Sequence, residues 1–274
     1  DQITVTGEDG KATKVERAWP LAIAKTESKV LKEGTGEKVD KNATLKVNYV
    51  GVNGRTGKEF DSSYKRGTTA DFPLAQVVPG FAKGLVGKHQ GDRVLIMMPG
   101  SDGYDSQGGA PQAGIMKGDS LIFVVDIVAI PLPKATGETV KPAAGLPTVK
   151  EVQGAPAVTI GKATKPNKLV VQPLIKGKGA AVTAHDSIDV KYRTYAWSSG
   201  ELIEDGYSGE PVTGSMNSVI PGWKKGLTGQ TVGSRVMLIV PPADAYPNGS
   251  TNPPVKKGET LIYVIDILSA QKES

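Results

Sequence analysis

The chain has 274 residues and a formal charge of +5, with 33 Lys and Arg against 28 Asp and Glu. With no Cys it forms no disulfide, thiolate nucleophile or Cys-based metal site. His89 and His185 stand apart in polar stretches without the spacing of a transition-metal site, so no cofactor is expected. The charge is mild and its lysines are scattered without interleaved aromatics, which reads as a solvated face and not as a nucleic-acid groove. No apolar run reaches the ~20 residues that a membrane span needs. At ~100–200 residues per domain the length predicts two domains. Opening on Asp1, the chain is expected to be a processed or trimmed form from which any signal segment has gone.

In chain order, Ile3-Thr4-Val5-Thr6 alternates as an edge strand would, and residues 1–26 read as an N-terminal extension. Leu45-Lys46-Val47-Asn48-Tyr49 alternates as a half-buried strand. Residues 79–86 open on Pro79 and set Phe81 and Leu85 at i, i+4, which predicts one short helix laid across a sheet. Residues 94–98 and 121–128 are nearly continuous apolar runs with β-branched residues, predicting central strands. Between them residues 99–117, with Gly108-Gly109, read as a long loop of the kind that is functional or mobile. Residues 132–149 hold Pro133, Pro142 and Pro147 and read as a semi-rigid Pro-rich linker.

The pattern then returns. Leu31-Lys32-Glu33-Gly34-Thr35-Gly36 is answered by Leu174-Ile175-Lys176-Gly177-Lys178-Gly179, and Val77-Val78-Pro79-Gly80-Phe81 by Val219-Ile220-Pro221-Gly222-Trp223. Tyr49 is answered by Tyr192, Tyr104 by Tyr246, and Leu121-Ile122-Phe123 by Leu261-Ile262-Tyr263. The offset drifts only from 143 to 140 residues, so one domain is present twice. The fold class is α+β: two similar domains, each an antiparallel β-sheet with one short helix, and short N-terminal β extensions. The first spans 27–131; residues 150–274 hold an extension and the second.

The first copy carries an ordered set of motifs: Val47-x-Tyr49-x-Gly51, Phe60-Asp61-Ser62-Ser63, Phe72-Pro73-Leu74, Val77-Val78-Pro79-Gly80-Phe81, Gly91-x-Arg93, Pro99 through Tyr104, and Leu121-x-Phe123-x-x-Asp126. The set covers nearly the whole repeat and resembles the FKBP-type peptidyl-prolyl isomerases. The tandem layout is similar to exported, often lipid-anchored members of that family from actinobacteria. The resemblance implies an extracytoplasmic protein, cell-envelope attached or secreted, with any lipid anchor upstream of Asp1. It implies partners that are Pro-containing polypeptides, and macrolide inhibitors as ligands. It further implies a pocket between helix and sheet lined by Tyr49, Phe60, Asp61, Val77, Val78, Phe81, Tyr104 and Phe123, with Phe72 and Ile115 also touching substrate.

Without the resemblance the same residues have plainer readings. Phe81, Val77 and Phe123 would be core, Asp61 with two serines a turn or cap, and Tyr104 a surface tyrosine. In the second copy Tyr192, Val219, Ile220, Trp223 and Tyr246 keep their places as substrate-binding positions. Ile203 stands for Phe60, Glu204 for Asp61, and Tyr263 for Phe123. Gly214 or Val212 falls where Phe72 stands, and Ala70 is a departure within the first copy. Two functional classes follow: a prolyl isomerase whose first domain is the more active, or a non-catalytic module that holds Pro-containing segments.

Overall fold

A computed structural model of the chain describes residues 3–7 and 13–273. The chain divides into two compact units, the first ending at Pro131 and the second spanning Leu132–Glu273. In the first, the sheet order is Glu27–Lys32, Arg93–Met98, Leu121–Ala129, Thr44–Asn53, Glu59–Ser62, all antiparallel, with Ala70–Pro73 also pairing along Thr44–Asn53. The helix Pro79–Leu85 lies against the strand Arg93–Met98. Its glycines let it lie close: a Cβ on Gly84 would come within 2.9 Å of Ile96, and one on Gly80 would strike Met98. The second unit repeats this plan with the helix Pro221–Leu227 and the strands Arg235–Val240, Leu261–Lys272 and Asp186–Ala196.

The apolar runs are explained by burial on both faces. Along Leu121–Ala129, Leu121, Phe123, Val125 and Ile127 turn to the helix side, while Ile122 and Val124 turn to the opposite face. That outer face is covered by Ile3, Val5, Val15, Trp19 and Leu21. The expected N-terminal edge strand is instead half of a separate hairpin, Thr4–Thr6 with Lys14–Glu16, packed on the sheet's back. The second unit has the same device in Thr148–Val152 with Ala155–Thr159, whose Val149 and Val158 cover Met237, Ile239, Ile262 and Val264. A strand buried on both sides loses its alternation and reads as continuous apolar sequence.

Residues 132–149, expected as a linker, take part in the second unit. Gly137–Thr139 adds an edge strand along Val170–Gly177, and Leu132 packs on the second core. The prolines flank this strand and do not interrupt it, so its N–H groups are free to pair. Its three residues are all exposed, which leaves no apolar pattern to reveal it. A chain starting at residue 132 should therefore melt cooperatively. One starting at residue 141, stripped of strand and Leu132, should melt several degrees lower in a calorimetric comparison; equal melting would show that the segment is a linker after all.

Candidate functional site

The first unit gathers its aromatic residues between helix and sheet. Thr44–Asn53 supplies Tyr49, Leu121–Ala129 supplies Phe123, Ala70–Pro73 supplies Phe72 and the helix supplies Phe81. Ring centroids are 5.2 Å apart for Tyr49 and Phe72, 4.7 Å for Phe72 and Phe81, and 4.6 Å for Phe81 and Phe123. Phe60 meets Phe123 edge-on at 5.6 Å. Phe60, Val77, Val78 and Tyr104 are only partly buried and pack on this cluster as its rim. Gly51 explains its own motif: a Cβ there would lie 2.7 Å from Phe60 and 2.8 Å from Phe123, so any side chain would displace both rings. Ile115, expected to touch substrate, is 1% exposed and sits in the core itself.

Asp61 lies beside Tyr49. The Tyr49 hydroxyl donates to its carboxylate, Arg66 forms an ion pair with it, and Arg66 Nη2 also donates to the Tyr49 oxygen at 3.1 Å. Arg66 comes from a one-turn helix, Ser63–Arg66, N-capped by Ser62. Sequence reasoning missed both; the Ser62-Ser63 pair, read as a turn or cap, was the signal available. Burial first, and then the bond to Asp61, push the Tyr49 phenol up to about 12. A phenol whose pKa is raised on folding stabilises the fold below pH ~10, and that contribution is lost as pH rises toward the folded value. Denaturant midpoints should thus fall between about pH 10 and 12 more steeply for the native chain than for Tyr49→Phe. Parallel profiles would show that Tyr49 titrates normally.

The Tyr104 loop, residues 99–117, is tied down. Lys83 Nζ on the helix meets Asp102 at 2.6 Å, Thr26 Oγ1 donates to Asp102 at 2.5 Å, and Asp105 accepts from the Gly118 N–H at 2.7 Å. The loop folds into three short 3-10 turns and a small pairing of Gly109–Ala110 with Ile115–Met116. Burial raises the Tyr104 phenol pKa, with the charge of Asp61 adding to it.

The second unit builds a different cavity at the equivalent place. Its volume is about 200 Å³, and its walls are Tyr192, Glu204, Ser218, Val219, Ile220, Trp223, Tyr246 and Tyr263. Register decides the alignment left open by sequence: Leu45 faces Phe72 in the first sheet and Ile188 faces Gly214 in the second, so glycine replaces the aromatic. Thr194 stands opposite Tyr263 as Gly51 stands opposite Phe123. Ile203 packs against the core and is not among the cavity walls. Tyr192 meets Trp223 edge-on at 5.0 Å, and Trp223 meets Tyr263 likewise at 5.4 Å. Glu204 accepts from Tyr192 Oη at 3.2 Å and from Thr194 Oγ1 at 2.7 Å. As in the first unit, a helix lysine fixes the tyrosine loop, with Lys225 Nζ 2.6 Å from Asp244.

Arg93 and Asp126, which belonged to the motif set, lie on the outer face of the sheet, away from the aromatic cluster. They pair at 2.7 Å, and Arg93 also donates to the Gly7 carbonyl at 2.7 Å and to Thr13 Oγ1 at 3.0 Å. They clamp the hairpin to the sheet. Arg235 and Asp266 repeat the pair at 2.7 Å, with Glu151 of the second hairpin 3.3 Å away. Among the described residues no cluster of three or more His, Asp or Glu could hold a metal ion, and no helix is long and apolar enough to cross a membrane.

A helix crossing one face of an antiparallel sheet, with a carboxylate-edged aromatic pocket between them, defines a fold with a binding cleft, and comparison with known proteins places it. The family described as FKBP-type peptidyl-prolyl cis-trans isomerase matches residues 35–128 and again 178–268, and the chain belongs to that family. A "Probable FK506-binding protein" of Corynebacterium glutamicum is 32% identical over 117 residues, 42% of this chain and 98% of that protein. An "FK506-binding protein" of Streptomyces anulatus is 40% identical over 100 residues, 36% of this chain and 80% of that one. Among solved structures, FkpA from Escherichia coli is 30% identical, with a TM-score of 0.35, over 38% of this chain and 48% of that chain.

Proposed function

We propose that the chain catalyses cis-trans isomerisation of Xaa-Pro bonds and that the first unit is the catalyst. The observation that supports this reading is the aromatic cluster of the first unit: Phe60, Phe81 and Phe123 pack between helix and sheet, and the neighbouring carboxylate of Asp61 is ion-paired with Arg66. Prolyl rotation needs neither nucleophile nor proton transfer. Its barrier of about 18–20 kcal/mol comes from amide resonance, and the twisted transition state is less polar than the planar amide. An apolar enclosure therefore disfavours the ground state relative to the twisted one. Moving the step from the minute range to milliseconds means removing about 5–7 kcal/mol, at 1.36 kcal/mol per tenfold. Val77, Val78 and Phe81 hold the proline ring. The Tyr104 hydroxyl donates to a substrate carbonyl, and Asp61 with Arg66 fixes Tyr49 within the cluster. The substrates are Pro-containing segments of exported polypeptides, a reading supported by resemblance and not by geometry.

The second unit serves as a binding module. Glu204 and Tyr263 bring polar groups to the walls of its cavity, and Gly214 stands where the first unit has Phe72. The test is the full chain, at catalytic concentration, in the refolding of a protein limited by a trans-to-cis proline step. The slow phase should accelerate in proportion to the chain added, and FK506 should abolish the acceleration by filling the first pocket. An unchanged slow phase would overturn the assignment of activity.

A further inference from the structure

The two pockets differ most in how their carboxylates are neutralised. Asp61 has Arg66; at the matching position of the second repeat stands Gly209, and among the described residues Glu204 has no basic partner. The nearby cations are engaged elsewhere. Lys225 is held by Asp244 at 2.6 Å, Lys224 reaches Asn217 at 3.3 Å, Arg193 pairs with Asp205 at 2.7 Å, and Lys191 reaches the Tyr207 carbonyl at 3.4 Å. The cavity thus keeps a half-buried carboxylate that no basic side chain among the described residues pairs with.

Around that charge stand the rings of Tyr192, Trp223, Tyr246 and Tyr263. Aromatic faces attract a cation within about 6 Å of the ring centroid, and a partly desolvated carboxylate attracts it further. These groups together fit a ligand with a positive head.

We propose that the second pocket binds a lysine side chain of an extended polypeptide, with the ammonium held by Glu204 among the aromatic rings. This rests on reading the second unit as a binding module and names what it binds. The first unit would then act on prolines in chains that the second holds by their basic residues.

The test titrates the full-length chain with acetyl-Ala-Lys-Ala-amide and with the norleucine and proline peptides of the same frame, by calorimetry. Resonances of the second unit followed in parallel locate the binding. The lysine peptide should bind the second unit about tenfold or more tighter than its norleucine counterpart, a difference of about 1.4 kcal/mol. The advantage should shrink as salt rises. Glu204→Gln, which keeps the side chain's size, should remove the preference. The peptide comparison on the native chain stands even if that variant folds poorly. Equal binding of lysine and norleucine, or a second unit that prefers proline, would overturn the proposal. Proline-limited refolding assayed with the lysine peptide present keeps this separate from the isomerase reading, because that activity should continue with the second pocket filled.

Discussion

A full-length chain carrying Phe60→Ile, Asp61→Glu and Phe123→Tyr should lose roughly 10²-fold in kcat/KM on Xaa-Pro peptides, because misplacing a group by ~1 Å can cost that much. The three changes write the second pocket's residues into the first. Isoleucine removes the ring that meets Phe123 edge-on. Glutamate carries its charge one methylene further and breaks the geometry that joins Tyr49, Asp61 and Arg66. Tyrosine at a position 1% exposed brings in a hydroxyl that costs about 1–3 kcal/mol if it finds no partner. Trp223 is the counterweight, since a larger ring on the second floor favours proline. If the triple variant keeps its melting temperature and its activity, then the second unit is the catalyst and Trp223 is the deciding residue.

Asp126→Ala should destabilise the first unit by about 3–5 kcal/mol, the cost of leaving a buried charge without its partner. The Arg93 side chain is 6% exposed and Asp126 takes two of its guanidinium bonds, at 2.7 and 2.9 Å. The Tyr64 hydroxyl also donates to Asp126, so three groups lose a partner together. A scanning melt should show the first unit's transition lowered by roughly 10–20 °C with the second unit's in place. Asp266→Ala should reverse the pattern, because Asp266 offers the same two bonds to Arg235, at 2.7 and 2.9 Å. A shift of only a degree or two would mean that the pair is an accessory of the surface.

The repeat, the short helix and the central strands were legible because their signals are local: Pro at a helix start, i, i+4 apolar spacing, and runs of β-branched residues. The aromatic pocket was legible only through its ordered motifs, since Phe81 and Phe123 look like any core residues along the sequence. Arg66 escaped because an arginine five residues from Asp61 carries no period; only the turn set by Ser62 brings it back to the carboxylate. The strand Gly137–Thr139 escaped because all its residues are exposed. The N-terminal extensions were read as edge strands and instead form hairpins over a sheet face, because alternating stretches do not say which surface they will cover.

That covering sets the smallest piece of this protein that should stay dispersed in water. A fragment trimmed to residues 35–128, the extent of the family match, would keep the pocket and the helix. It would also lay bare Val50, Leu95, Ile122 and Val124 on a sheet face with no lid. A continuous apolar sheet face is an invitation to self-association. For this chain solubility and the pocket are therefore separable properties: the hairpin supplies the first by masking one face of the sheet, and the helix helps form the second on the other.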